Sequence, residues 1–272
     1  MFQFRILSVL FLFFISLSLK AQTDPGEDKE SVGDKISQMA SMMGGKVKYA
    51  DSYTFDHSMT MEMTTSQKDG KKTNKSVMAL QADKEGNAMT MEVLESDGKV
   101  AKDKTMILYD IPNSTMVTLL ENSKGEKSGM AMGFDAEAIQ KMMEDQTTSE
   151  ADQPTATFKK TGNTRTILGY SCDEYAFDGE DASGTAWAAE DAEVNTLTFF
   201  GLLGQGASGK KGSYVMENLT GYPEGLLLEM HSRDKKSNDT VDMVVTDLKL
   251  NAATTLKPGD YNVTSLGAMM GN

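Results

Sequence analysis

The stretch from Tyr53 to Met63 constrains the fold more than any other part of the chain. Tyr53, Phe55, His57, Met59, Met61 and Met63 occupy alternate positions, and Thr54, Asp56, Ser58, Thr60 and Glu62 fill the places between them. A period of two places the first set on one face of a strand and the second on the other, which predicts one packed face and one wet face. Strands of this kind need partners, and the sequence supplies them as hairpins. Val77–Ala82 and Ala88–Val93 flank Glu85-Gly86-Asn87, and Thr105–Tyr109 and Thr115–Leu120 flank Pro112-Asn113. Leu226–His231 and Val241–Leu250 follow, joined by the polar run Asp234–Asn238. Short strands with turn residues between them predict a meandering antiparallel barrel or a strongly curved sheet.

Three segments carry helical rather than alternating patterns. Ser31–Met43 repeats Val32, Ile36, Met39 and Met43 and stops at Gly44-Gly45; Asp135–Glu144 is short and led by Asp135; Asn195–Leu203 is apolar throughout. Each is expected to be a helix capped by a polar residue at its start. The expected fold is therefore mainly β: a curved antiparallel sheet or unclosed β-barrel, with helices covering the concave side.

Lys159 to Trp187 holds the single cysteine and the single tryptophan. Gly162-Asn163 predicts a turn, because both residues tolerate positive φ. Gly169 interrupts the following run, as at a bulge. Tyr170 and Cys172 share one face of the next strand and Tyr175 and Phe177 the other. Asp178-Gly179 to Ser183-Gly184 predicts a turn into a strand carrying Trp187.

Gly162, Ile167, Gly169-Tyr170, Cys172 and Tyr175, followed by the tryptophan strand, resemble the signature of an exported bacterial family, domain-of-unknown-function family 4412. That family is similar to the outer-membrane lipoprotein carrier fold, a half-open barrel with helices at its mouth. The specific resemblance covers about thirty residues, and a looser one of strand order runs from Tyr49 to Tyr261. It implies an apolar-ligand cavity and no assigned activity.

Met1–Ala21 has the form of a secretory signal peptide, with Arg5 as the charge, Ile6–Leu19 as the apolar core and Ala21 before the cut. The core is short for a membrane span, and Lys20 follows at once. The expected organisation is a leader at 1–21, a polar lead and covering helix at 22–48, one β-rich half-barrel domain at 49–263 and a frayed tail at 264–272. The expected location is periplasmic or extracellular, with the processed chain soluble and not membrane-spanning. A formal net charge of −13 argues against nucleic acid and against anionic membrane surfaces. One cysteine cannot form an intramolecular disulfide, so stability must come from the core.

Several motifs suggest chemistry and are better read as structure. Gly204 to Lys210 fits the spacing of a phosphate-binding loop, but an apolar helix is expected before it, and Lys211 stands where Ser or Thr would bind magnesium. Cys172 with His57 or His231 is a conceivable thiol pair, yet a lone strand cysteine is usually a small buried hydrophobe. The spacing in Asp178-Gly-Glu180-Asp181 does not match a calcium loop. No catalytic residue, cofactor or metal ligand is assigned, and the chain is expected not to be an enzyme.

The anomaly is methionine, 21 residues in all. Flexible, polarizable thioethers suit a core that adapts to varied apolar guests. The expected ligand lining is Phe55, Met59, Met61, Met89, Met91, Tyr170 and Trp187, taking a lipid or another apolar molecule. Two alternatives stand beside it: a protein-interaction module with a closed core, and a Cu(I) site, since thioethers select that ion. For copper, His57, Met59 and Met61 lie about 6.6 Å apart along the strand, so other strands would have to contribute donors.

Overall fold

The computed structural model describes residues 47–68, 73–133, 156–180, 182–194 and 219–265. The expected helices at 31–43, 135–144 and 195–203 lie outside the described residues, as do the leader and the Gly204–Lys210 loop. Among the described residues the only helical element is a single 3₁₀ turn, Pro258–Asp260.

The strands are, in chain order, β1 (Tyr53–Phe55), β2 (His57–Ser66), β3 (Thr73–Ala82), β4 (Ala88–Ser96), β5 (Lys99–Val100), β6 (Lys104–Asp110), β7 (Thr115–Glu121) and β8 (Lys127–Gly133). They continue as β9 (Ala156–Ile167), β10 (Tyr170–Gly179), β11 (Ala182–Ala189), β12 (Leu219–Thr220), β13 (Leu226–Asp234), β14 (Thr240–Lys249), β15 (Thr254–Leu256) and β16 (Asn262–Ser265). Fourteen strands make one sheet in the order β12-β9-β10-β11-β13-β14-β2-β3-β4-β6-β7-β8-β16, with β5 paired to β4. The pairing is antiparallel except at the two ends, where β12 joins β9 and β16 joins β8 in parallel. Among the described residues the two ends do not pair with each other, so the sheet is open rather than a closed barrel.

The long alternation breaks at Asp56. Tyr53–Phe55 leaves the main sheet and pairs with Thr254–Leu256 to form a separate two-stranded sheet. Asp56 makes the crossing by accepting the Ala252 N–H on its carbonyl at 2.9 Å and the Lys84 N–H on its carboxylate at 3.1 Å. His57 then starts β2 opposite Ala82.

This break produces two cores on opposite faces of one sheet. The larger gathers Met59, Met61, Met78, Leu80, Met89, Ile107, Tyr109, Met243 and Val245. The smaller packs Tyr53 and Phe55 with Ala88, Met106, Leu108, Val117, Leu119 and Ala131. Residues 106 and 108 alternate with 107 and 109 on β6, so this end of the sheet is covered on both sides. A buried hydrogen bond fastens the cover: Tyr53 Oη donates to Asp110 at 2.5 Å and accepts the Ala50 N–H at 2.8 Å. Asp110 also caps its own turn, accepting the Asn113 backbone N–H at 3.1 Å and its side-chain amide at 2.8 Å.

The β9–β10 hairpin reverses the expected roles of its glycines. Ile167 pairs with Tyr170, so Leu168-Gly169 is the turn, with φ of 50° and 89°. Gly162, at φ 89°, sits inside β9 at a bulge, where the register steps from Asp173↔Thr164 to Tyr175↔Lys160. Glu174 holds the bulge, accepting from Thr161 Oγ1 and from Asn163 Nδ2, each at 2.7 Å. Gly184 is likewise a strand residue rather than part of a turn, paired with Phe177 on one side and Ser232 on the other.

Candidate functional site

Directly opposed residues in neighbouring strands share a face, so register carries the methionine face across the sheet. Met59, Met61 and Met63 oppose Leu80, Met78 and Ser76 on β3, and Leu248, Val245 and Met243 on β14. Leu80 and Ala82 oppose Met91 and Met89 on β4, and those oppose Ile107 and Tyr109 on β6. Tyr109 opposes Met116, which opposes Met132. In the other direction Met243 opposes Met230, Met230 opposes Ala186, and Ala186 opposes Tyr175. The result is one apolar surface running from β10 to β8.

Its centre is closed and its fringe is half open. Met61 and Met78 are each 1% exposed, whereas Met63, Met91, Val93, Met116, Met230 and Leu248 are partly buried against them. Tyr109 carries its phenol into this surface, and burial pushes that phenol well above its ordinary range.

The expected lining residues divide between the two cores. Met59, Met61, Met89 and Met91 meet on the methionine face. Phe55 lies in the smaller core behind the sheet. Trp187 opposes Glu174 and Glu229, one position out of phase with Ala186, yet it packs, partly buried, against the same larger core as the methionines, beside the register shift between Trp187 and Ala188. Tyr170 also packs, partly buried, against that core, of which Cys172 is a fully buried member.

Polar and charged groups border this part of the core between β9 and β14. The Arg165 guanidinium stacks over the Trp187 ring at 4.1 Å and pairs with Glu229. His231 Nδ1 lies 2.8 Å from Asp242 Oδ1, and its Nε2 lies 3.6 Å from Glu229. Cys172 is fully buried, opposite Arg165, and burial raises its thiol pKa, which disfavours thiolate. His57 stands on β2, four strand spacings from Cys172 on β10, or roughly 19 Å along the sheet.

A further charged cluster lies where β9 to β11 meet. Lys160 Nζ contacts Asp173 at 2.8 Å and Glu190 at 2.9 Å. The Tyr175 hydroxyl donates to Glu190, and this bond, with Lys160 beside it, holds the Glu190 carboxyl below its ordinary range. Among the described residues no group of three or more His, Cys, Asp and Glu is placed to hold a metal ion, and no helix is long and apolar enough to cross a membrane.

Sequence reasoning found the methionine alternation but missed the far side of the same surface. Met116 and Met230 belong to it, and only cross-strand register shows that. The polar ladder of Arg165, Glu229, His231 and Asp242 was equally invisible, because its members come from three separate strands.

Comparison with known proteins adds a family and a general likeness. The family model described as Domain of unknown function (DUF4412) matches residues 46–259. No curated protein matches the sequence. Among solved structures, PNGF-II is similar over 79% of this chain at 13% identity and a TM-score of 0.31, and the match spans only 32% of that chain. An uncharacterized conserved protein from Thermus thermophilus is similar over 86% of this chain and 99% of its own, at 8% identity and a TM-score of 0.35. A domain described as a putative outer membrane lipoprotein-sorting protein, from Vibrio parahaemolyticus, is similar over 82% of this chain and 92% of its own, at 10% identity and a TM-score of 0.27.

Proposed function

The chain belongs to the Domain of unknown function (DUF4412) family, and on that footing we propose that it is an exported, non-enzymatic protein that binds a lipid or another apolar molecule against its methionine face. One observation carries the proposal. A single apolar surface crosses the open sheet, and its buried centre is bordered by half-exposed Met63, Met91, Val93, Met116 and Met230. The border supports the reading because it gives a guest apolar atoms to reach before the centre opens.

The residue type suits varied guests. Methionine has three rotatable bonds and a polarizable sulfur, so it can fit itself to chains of different length and bend. Hiding about ten ligand methylenes would gain about 8 kcal/mol before the costs of ordering and association. Met59, Met61, Met89 and Met91 supply apolar contact, and none of them is given a chemical role.

Native mass spectrometry of the freshly purified processed chain tests the proposal. A retained mass in the lipid range, removed by solvent extraction and restored by added fatty acid, is the expected result. A copper-sized increment instead would move the function to the thioethers as ligands. A bare protein that stays bare when fatty acid is added would leave the interaction module with a closed core.

A further inference from the structure

The thioethers of the methionine face fall into two sets by depth. Met59, Met61 and Met78 lie at its centre and are almost wholly closed to solvent. Met63, Met91, Met116 and Met230 lie on its border, half-buried and packed against that centre. The border set is spread out rather than gathered at one spot. Met63 on β2 and Met230 on β13 stand on either side of Met243 on β14. Met91 lies on β4 between Leu80 and Ile107, and Met116 on β7 between Tyr109 and Met132. Half-open thioethers thus stand on both flanks of the closed centre.

Oxidants act on the sulfur of cysteine and methionine, and exposure decides which sulfur reacts. The single cysteine, Cys172, is fully buried. The sulfur that solvent reaches is therefore methionine sulfur. Among the described residues the half-buried methionines are the four of the border and Met130 on β8. Position also decides what an added oxygen does. A sulfoxide is polar, and burying a polar group without a hydrogen-bond partner is unfavourable. On the border the oxygen can turn to water, so the fold tolerates it. Beneath an apolar guest it would lose that water, so the guest is disfavoured. At Met61 the same oxygen would have no route to water, but there the sulfur is shielded.

We propose that Met63, Met91, Met116 and Met230 form an oxidant-modification site that closes the methionine face to apolar guests. The reacting class is a two-electron oxidant, a peroxide. The thioether lone pair attacks one peroxide oxygen, so that an S–O bond forms and the O–O bond breaks. Sulfur is oxidised by two electrons to the sulfoxide. The other oxygen leaves with the electron pair, takes the proton shed by the oxygen now on sulfur, and departs as water. The inference rests on the reading of this face as the ligand surface, and its test separates the two.

The test exposes the folded protein to graded hydrogen peroxide, maps each methionine by peptide mass spectrometry and titrates the product with a fluorescent fatty acid. Met63, Met91, Met116 and Met230 should gain oxygen well before Met59, Met61 and Met78. The circular dichroism spectrum should not change, while probe affinity should fall by about tenfold or more. A variant combining Met63→Leu, Met91→Leu, Met116→Leu and Met230→Leu keeps the apolar volume and has no thioether on the border. It should bind the probe as untreated wild type does and keep that affinity through the same treatment. The wild-type map and titration decide the matter even where that variant fails to fold. Centre and border methionines that oxidise together, border-oxidised protein that binds as well as untreated protein, or a leucine variant whose affinity falls as far as wild type's would each overturn the proposal. Untreated wild-type protein that takes up no probe removes the ligand reading itself, and the proposal with it.

Discussion

Phe55→Ala should destabilise the protein severely without touching the methionine face. Phe55 is 1% exposed and stacks on Tyr53 with ring centroids 6.4 Å apart and planes at 7°. It fills the smaller core over Leu108, Val117 and Leu119, which are themselves fully buried. Truncating a buried phenylalanine to alanine costs about 3–5 kcal/mol. The upper half of that range applies, because β1 is only three residues long and is held by one short partner strand and its two aromatic side chains. At about 2–4 °C per kcal/mol for a domain of this size, the Tm should fall by roughly 8–20 °C. Phe55→Leu keeps much of the apolar volume and should fall between wild type and alanine. Thermal melts followed by circular dichroism read the shift, and fatty-acid probe titration at a temperature where the variant is folded reads the face. A Tm loss under about 3 °C would refute the placement of Phe55 in a tightly packed second core. So would loss of probe binding in folded Phe55→Leu, since that would put the ring on the methionine face.

Four other outcomes follow from the same structure. Tyr53→Phe removes the donor to buried Asp110 and should cost about 1.5–3 kcal/mol in denaturant titration, with Asn113 still bound to the carboxylate. Burial, and then the bond to Asp110, raise the Tyr53 phenol well above its ordinary range, so stability should be intact below about pH 10 and decline above it, and Tyr53→Phe should flatten that decline. Glu190, held low by Tyr175 and Lys160, acts in the opposite direction: its contribution is present above about pH 4.5 and lost as pH falls through the lowered value, so Glu190→Gln should flatten the acid limb of a stability–pH curve. Cys172 should react with a thiol reagent only after denaturant is added, because its side chain is buried and its thiolate disfavoured; rapid labelling of native protein would place it at the surface.

The strands were legible where burial is one-sided. Met59, Met61 and Met63 alternate with threonine and glutamate because one face of β2 meets the core and the other meets water, so periodicity alone gives the face. The same periodicity concealed the break at Asp56. Tyr53 and Phe55 keep phase with the methionines, and what separates them is β15, whose residues lie some two hundred positions along the chain. No local pattern carries that information. The glycine roles in the β9–β10 hairpin were reversed for a related reason. Gly162-Asn163 has the better turn dipeptide, but Glu174 absorbs the extra residues as a bulge and leaves Leu168-Gly169 to turn the chain. Trp187 and Tyr170 pack against the larger core with the methionines, and the Arg165 guanidinium that stacks on the Trp187 ring comes from a separate strand that no local pattern links to it. The edge pairings of β12 and β16 are parallel and short, and such contacts leave no alternating or hairpin signal to read.

The most direct measurement is the titration of the folded protein with a fluorescent fatty acid, run beside Met91→Glu. Met91 lies on the half-exposed fringe between Leu80 and Ile107, so a carboxylate there can reach water and spare the fold while placing charge where the chain of a guest would lie. Saturable uptake by wild type, displaced by unlabelled fatty acid and weakened at least about tenfold in Met91→Glu, is the predicted result. Folded wild-type protein that takes up no probe, or Met91→Glu that binds as wild type does, would contradict the assignment of the methionine face as a ligand surface.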